Sequence, residues 1–192
     1  MGEDLVSEAV RALEGTRLNV EDAAAAVPAA PGLYGFHGDG PVWRQLGLGS
    51  PPDGRPLYVG KSESSLAARD VRTHFAAGRT GSSTLRRTLA ALLVDQLGLV
   101  ACPRNPAKPG HFPNFGLEPE GDERLSRWMA EHLRLAVWPS PTGVELDDVE
   151  TAVLQCLTPP LNLSKVVTPW KSMISYARKR MAAGAASWSP PL

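Results

Sequence analysis

The order of periodic segments predicts a small mixed α/β (α+β) domain built on one core. Three observations carry that expectation. A chain of 192 residues is long enough for one full hydrophobic core and short for two. Strand-like and helix-like segments run β, β, α, α, α, β, α, α behind an N-terminal helix, and so few strands cannot form a doubly wound parallel sheet. The apolar share of 43% beside 21% charged residues is that of a globular protein, and no apolar run nears the roughly 18 residues of a membrane helix.

The elements follow from local pattern. In residues 3–15, Leu5, Val6, Ala9, Val10 and Leu13 fall at helical spacing and stop at Gly15. Residues 16–30 read as a small-residue linker with an alanine run. Residues 31–37 predict a strand. A Gly/Pro-rich stretch follows over 38–56, with a short strand expected within residues 42–48, and residues 57–61 predict the next strand. From Ser64 the period turns helical as far as Gly78. Ser82, Ser83 and Thr84 offer caps to a helix over 85–97 that closes at Gly98. A strand over 99–102 precedes an irregular stretch with five prolines, 103–119. Residues 122–133 predict a helix, 134–138 a strand, 142–155 a helix, and Pro169 opens the last helix. Residues 1–14 carry acidic residues and no signal-peptide core, so the expected compartment is the cytoplasm. Cys102 and Cys156 stand far apart without zinc-type spacing and are expected as buried or partly buried free thiols.

The net charge of zero conceals alternating blocks. Residues 1–54 hold three basic and eight acidic residues, residues 55–104 eight and three, residues 105–150 four and nine, and residues 151–192 five and none. A fold that joins the two basic blocks would offer a positive face to phosphates. Lys61, Arg72, Arg86, Arg87, Lys171, Arg178, Lys179 and Arg180 are the candidate contacts to nucleic acid, the last helix mixing them with Trp170 and Tyr176. A competing reading of that helix is a surface helix docking a stripe of Trp170, Met173, Ile174 and Ala177 on the core.

No phosphate-binding glycine loop, HExxH or GxSxG occurs. The informative pattern is Gly32-Leu33-Tyr34 on one strand, Tyr58-Val59-Gly60-Lys61 on the next, Leu66 and Arg69 at the start of a helix, Glu150 late on another, and Asn162 twelve residues beyond. This constellation resembles the GIY-YIG nuclease superfamily over residues 31–164. Gly32-Leu33-Tyr34 matches its first triplet, Tyr58-Val59-Gly60 its second, Arg69 its helix arginine, Glu150 its metal-binding glutamate and Asn162 its late asparagine.

The resemblance implies a small three-stranded antiparallel sheet flanked by helices. It divides the chain into an N-terminal helix and linker (1–30), a nuclease domain (31–164, with an insertion at about 103–134) and a basic C-terminal helix and tail (165–192). It implies a divalent-metal-dependent endonuclease acting on DNA. One magnesium or manganese ion would sit on Glu150, Arg69 on the phosphate, and Tyr34 or Tyr58 would act as or orient the base. Lys61 and His74 are further candidates for proton handling, and Gly32, Gly60 and Asn162 for structural support. The rival readings are a catalytically silent module of the same fold that binds nucleic acid or protein, and a structure-specific or RNA-directed nuclease. One site per chain would need a dimer, or two encounters, to cut both strands.

Overall fold

The computed structural model describes residues 2–51, 54–69, 74–105 and 107–190, with the backbone alone for residues 2, 3, 68 and 69. The first helix, α1 (Gly2–Glu14), buries Ala9 and Leu13 and ends on Gly15 as its spacing predicts. The expected linker holds a second helix, α2 (Val20–Ala26), started by the Asn19 side chain, which accepts the amide of Asp22 at 2.8 Å. Alanine has the highest helix propensity, so once capped the alanine run winds rather than links.

The sheet has the order β2 (Tyr58–Ser62), β1 (Gly32–His37), β5 (Arg134–Pro139), with both pairings antiparallel. Its central strand β1 (Gly32–His37) is buried at every position. Between it and β2 (Tyr58–Ser62) lies a helix, α3 (Gly40–Gln45), where a short strand was expected within residues 42–48. Asp39 caps α3 by accepting the Val42 amide at 3.0 Å, and Pro41 sits where a missing N–H costs nothing. Then come α4 (Leu66–Arg69), a 3-10 turn at Thr80–Ser82, α5 (Thr84–Leu92) and α6 (Val94–Leu97). The helix expected over 85–97 is thus broken at Leu93. The proline-rich stretch contributes β4 (Gly116–Leu117), which pairs with β3 (Ala101–Cys102) as a separate two-stranded ladder. After α7 (Pro119–His132), β5 (Arg134–Pro139) completes the main sheet, followed by α8 (Leu146–Leu157) and α9 (Lys171–Ser187).

Strand alternation divides the core in two. Leu33, Val59 and Trp138 point to the face covered by α1 and α8, where they meet Leu13, Val149 and Val153. Tyr34, Phe36 and Leu135 point to the other face, covered by Trp43 of α3, Leu89 of α5, Met129 of α7 and Ile174 of α9. Docking of α9 through Ile174 and Met181 agrees with the competing reading of that helix, although Met173 is exposed. Both sheet edges are covered, which denies them to other strands. Leu18 exchanges two 2.8 Å backbone bonds with Leu135 on β5. On β2, the Leu161 amide donates to Leu57 O at 2.9 Å, and the Asn162 side chain pairs with Val59. Among the described residues no helix is long and apolar enough to cross a membrane. Cys102 is buried, while Cys156 is exposed on the outer side of α8 against expectation.

Candidate active site

The two triplets meet across the β1–β2 ladder, where Tyr34 pairs directly with Gly60 and Phe36 with Tyr58. Tyr34 and Tyr58 therefore share a face as diagonal neighbours, with ring centroids 6.3 Å apart. Gly60 is required by this arrangement. A Cβ built there would stand 2.5 Å from the Tyr34 hydroxyl and 2.6 Å from its ring carbon, so the phenol lies flat over bare backbone. Gly32 serves a different purpose, since its Cβ would meet Trp138 O at 2.2 Å and close the gap to β5.

Tyr34 is 1% exposed, and its hydroxyl bonds His74 Nε2 at 2.8 Å. His74 is buried as deeply, and its Nδ1 bonds Ser83 Oγ at 2.8 Å. Ser83 is the cap of α5 and already accepts the Arg86 amide at 3.1 Å. In the tautomer protonated at Nδ1, its second lone pair takes that proton and Nε2 accepts from the phenol. The result is a buried chain from Tyr34 through His74 to Ser83. Ser83 was visible in the sequence as a cap, and only the tertiary structure shows its second task.

His74 is held from behind by Arg86, whose Nη1 donates to His74 O at 2.7 Å. Arg86 was expected at a nucleic-acid surface, and the structure places it elsewhere. It is fully buried, pairs with Asp122 at 3.0 Å, and donates to Thr80 and Ser126 at 3.1 and 3.0 Å. Asp122 in turn accepts from the Gly78 amide and the Thr80 hydroxyl. The guanidinium is a neutralised strut under the site, because its position on α5 turns it toward α7. Arg87, one residue on, has no such partner among the described residues and lies in the field of Tyr58.

A second group of charges gathers on the opposite face of β2. Lys61 pairs with Leu33 and so points away from Tyr34. Its ammonium contacts Glu63 at 2.6 Å and Asp147 at 2.9 Å, which holds it well above the ordinary lysine range. Such a lysine keeps its proton, so the structure offers Lys61 as a fixed cation and not as a proton acceptor for Tyr34. Lys165, absent from the sequence-based candidates, reaches both Asp147 at 2.6 Å and Glu150 at 2.8 Å from a left-handed backbone position of φ 62°. Lys165 and then Lys61 bring the Asp147 carboxyl down to about 2. Asp147 and Glu150 lie one turn apart on α8 and together already grip a cation. Hard carboxylate oxygens at that spacing suit an ion such as magnesium, which needs one or two carboxylates and takes water for the rest. Among the described residues no group of three or more histidine, cysteine or acidic side chains gathers as a metal cage.

Asn162 uses both ends of its amide on one residue of β2. Its Oδ1 accepts the Val59 amide at 2.9 Å and its Nδ2 donates to Val59 O at 2.8 Å, in the manner of a neighbouring strand. Arg69 closes α4, but its side chain, like all of Arg72, lies outside the described residues. Lys171, Lys179 and Arg180 are exposed along α9, and Arg178 is half-buried.

Residues 53–180 match the family model described as the GIY-YIG catalytic domain. Tyr58, Arg69, His74, Glu150 and Asn162 fall within the match, while Tyr34 lies before it. No curated protein and no solved structure matches the chain at a significant level.

Proposed function

Because the chain belongs to the GIY-YIG catalytic-domain family, we propose that it is a divalent-metal-dependent endonuclease hydrolysing phosphodiester bonds in DNA. The observation that carries this reading is the buried Tyr34–His74–Ser83 chain beside Tyr58. A scaffold has little use for a phenol wired to an imidazole, whereas a hydrolase needs a group that takes a proton from water.

In this reading Tyr34 is the base. Its phenol gives its proton to His74 Nε2 as it takes one from the attacking water. Ser83 holds the imidazole in the tautomer that leaves Nε2 open. Arg69 forks onto the non-bridging oxygens, as the family resemblance implies. Glu150, with Asp147 one turn before it, is the seat for one magnesium or manganese ion. When bound, that ion neutralises the phosphate and stabilises the leaving oxygen. Asn162 keeps β2, and with it Gly60 and Tyr58, in register with the loop after α8. Lys61 fixes Asp147 from the strand side.

One observation favours a second reading, a silent module that binds nucleic acid. Lys165 already neutralises Glu150, as a site without turnover would tolerate. Nicking of supercoiled plasmid separates the two. The parent should nick with magnesium and not with chelator, and Glu150→Ala should lose about 10²-fold or more in rate. Equal activity in parent and variant would remove Glu150 from the mechanism. No nicking of DNA by the parent, with DNA still bound, would establish the silent module.

A further inference from the structure

Arg87 is 7% exposed and, among the described residues, has no acidic partner. Its Nη1 donates to Gly81 O at 2.7 Å and its Nη2 to Thr84 Oγ1 at 3.2 Å, while its Nε is buried with no acceptor. The contrast with Arg86 is sharp, because the adjacent guanidinium is matched by Asp122. Two more arginines surround Arg87. Arg104 lies across the same turn, where a Cβ on Gly81 would stand 2.6 Å from its Cγ, and its Nη2 donates to Ser82 Oγ at 3.2 Å. Arg178 comes from α9, which packs directly on α5, and among the described residues it has no ion-pair partner.

Burial brings the Arg87 guanidinium down to about 10, with Arg178 and Arg104 adding to the effect and only the Tyr58 phenol opposing it. The same phenol is the group that opposes the lowering at Arg178. Three like charges, one of them buried and short of an acceptor, are costly in a folded chain unless an anion joins them. No such anion comes from residues 151–192, which carry no acidic side chain. The planar forks of arginine match phosphate and carboxylate oxygens bidentately, and phosphate is the anion that a nucleic acid presents.

We propose that Arg87, Arg104 and Arg178 form a phosphate site beside Tyr58 that receives a backbone phosphate of the substrate strand next to the one cut. The proposal rests on the nuclease reading and adds a subsite to it, built from α5, the loop after β3, and α9. It gives the basic C-terminal helix a defined role, which is to bring one guanidinium to the catalytic face. The remaining basic residues of α9 point outward and contribute only diffuse attraction.

The test uses the full chain carrying Glu150→Gln, so that DNA is bound without being cut, and a short labelled duplex followed by fluorescence anisotropy. Arg178→Gln on that background should weaken binding about tenfold. It should also lower the slope of log affinity against log salt by about 0.9, the loss of one phosphate contact. Arg87→Lys, which keeps charge and removes the fork, should weaken binding with the slope retained. Arg11→Gln, on α1, should change neither quantity. Thermal melting of each variant identifies a folding defect, and Arg178→Gln, half-buried and unpaired, keeps the test valid where Arg87→Lys is unstable. A second arm adds inorganic phosphate without DNA.

Unchanged affinity and slope in Arg178→Gln, with the parent binding and nicking DNA, would overturn the phosphate site and leave the nuclease reading intact. Stabilisation by inorganic phosphate with DNA binding unaffected by Arg178→Gln would make the cluster a free-anion site and overturn it as well. A parent that neither binds nor cuts DNA would overturn the nuclease reading and the subsite together.

Discussion

Removing the Asp122 carboxylate should destabilise this domain as strongly as truncating a large apolar side chain in its core. Asp122→Ala leaves the Arg86 guanidinium fully buried without a counter-charge, and it also leaves the Gly78 amide and the Thr80 hydroxyl without their acceptor. Breaking a buried pair from one side costs about 3–5 kcal/mol. Domains of this size hold only about 5–15 kcal/mol in total. With a urea dependence of about 2 kcal/mol per molar, the midpoint should fall by about 2 M at unchanged slope. Asp122→Asn, which keeps an acceptor, should lose less.

The double variant Arg86→Met with Asp122→Ala is the decisive comparison. It removes the stranded charge but also strips His74 O and Ser126 of their donor, each loss worth about 1–3 kcal/mol. It should therefore be less stable than the parent and more stable than the sum of the single losses predicts. A midpoint shift below about 0.5 M for Asp122→Ala, or strict additivity in the double variant, would show that Arg86 finds water or another partner. The buried-strut argument would then fail.

Two further outcomes follow from single side chains. His37 donates to Leu13 O at 2.8 Å from a ring that is 1% exposed, and its Nδ1 has no partner. Burial first, and Arg17 second, bring its pKa from 6.5 to about 4. A folded pKa below the unfolded one means the unfolded chain takes the proton first. Stability is thus complete above about 6.5 and is lost as pH falls toward 4, to a limit of about 3.5 kcal/mol at about 1.4 kcal/mol per pH unit. His37→Gln, which keeps a donor for Leu13, should flatten that part of the stability profile, and an unaltered profile would place the acid sensitivity elsewhere. For Lys165, replacement by Met removes the cation tethered to Glu150 and Asp147. Manganese binding followed by spin resonance or calorimetry should tighten about tenfold, within the range typical of changes around metal ligands. Weaker binding would show that Lys165 supports the carboxylates and does not compete for them.

What the sequence disclosed was whatever is encoded locally. The paired triplets are legible because a glycine beside each tyrosine is required within the ladder itself, and Gly60 lies directly under the phenol it admits. The α3 segment was misread because Val42 and Trp43 look strand-like, although Asp39 and Pro41 carry a helix start. The β3–β4 ladder is too short to show alternation. Arg86 and Arg87 have the same local context, yet α5 rotates about 100° between them. One reaches Asp122, 36 residues away, and the other does not. Nothing near either arginine in the sequence encodes that difference. Lys165 is hidden for the same reason, since its acids lie 15 and 18 residues earlier on α8.

The same separation bears on the two tyrosines, which the triplets treat as equivalents. Tyr34 is buried and wired to an imidazole, so a proton leaving it has a defined acceptor. Tyr58 is half-buried and lies beside Arg87 and Arg178, whose guanidinium groups attract anions. An imidazole behind a phenol promotes proton transfer, whereas guanidinium groups around one promote anion binding. On the proposed nuclease reading the surroundings divide the pair, with Tyr34 for the proton and Tyr58 for the phosphate-bearing substrate. The same reading puts the proposed arginine cluster on the substrate path. It requires Tyr34→Phe and Tyr58→Phe to differ in kind. The first should lower turnover and leave DNA affinity unchanged, and the second should alter affinity together with Arg178→Gln in a non-additive way.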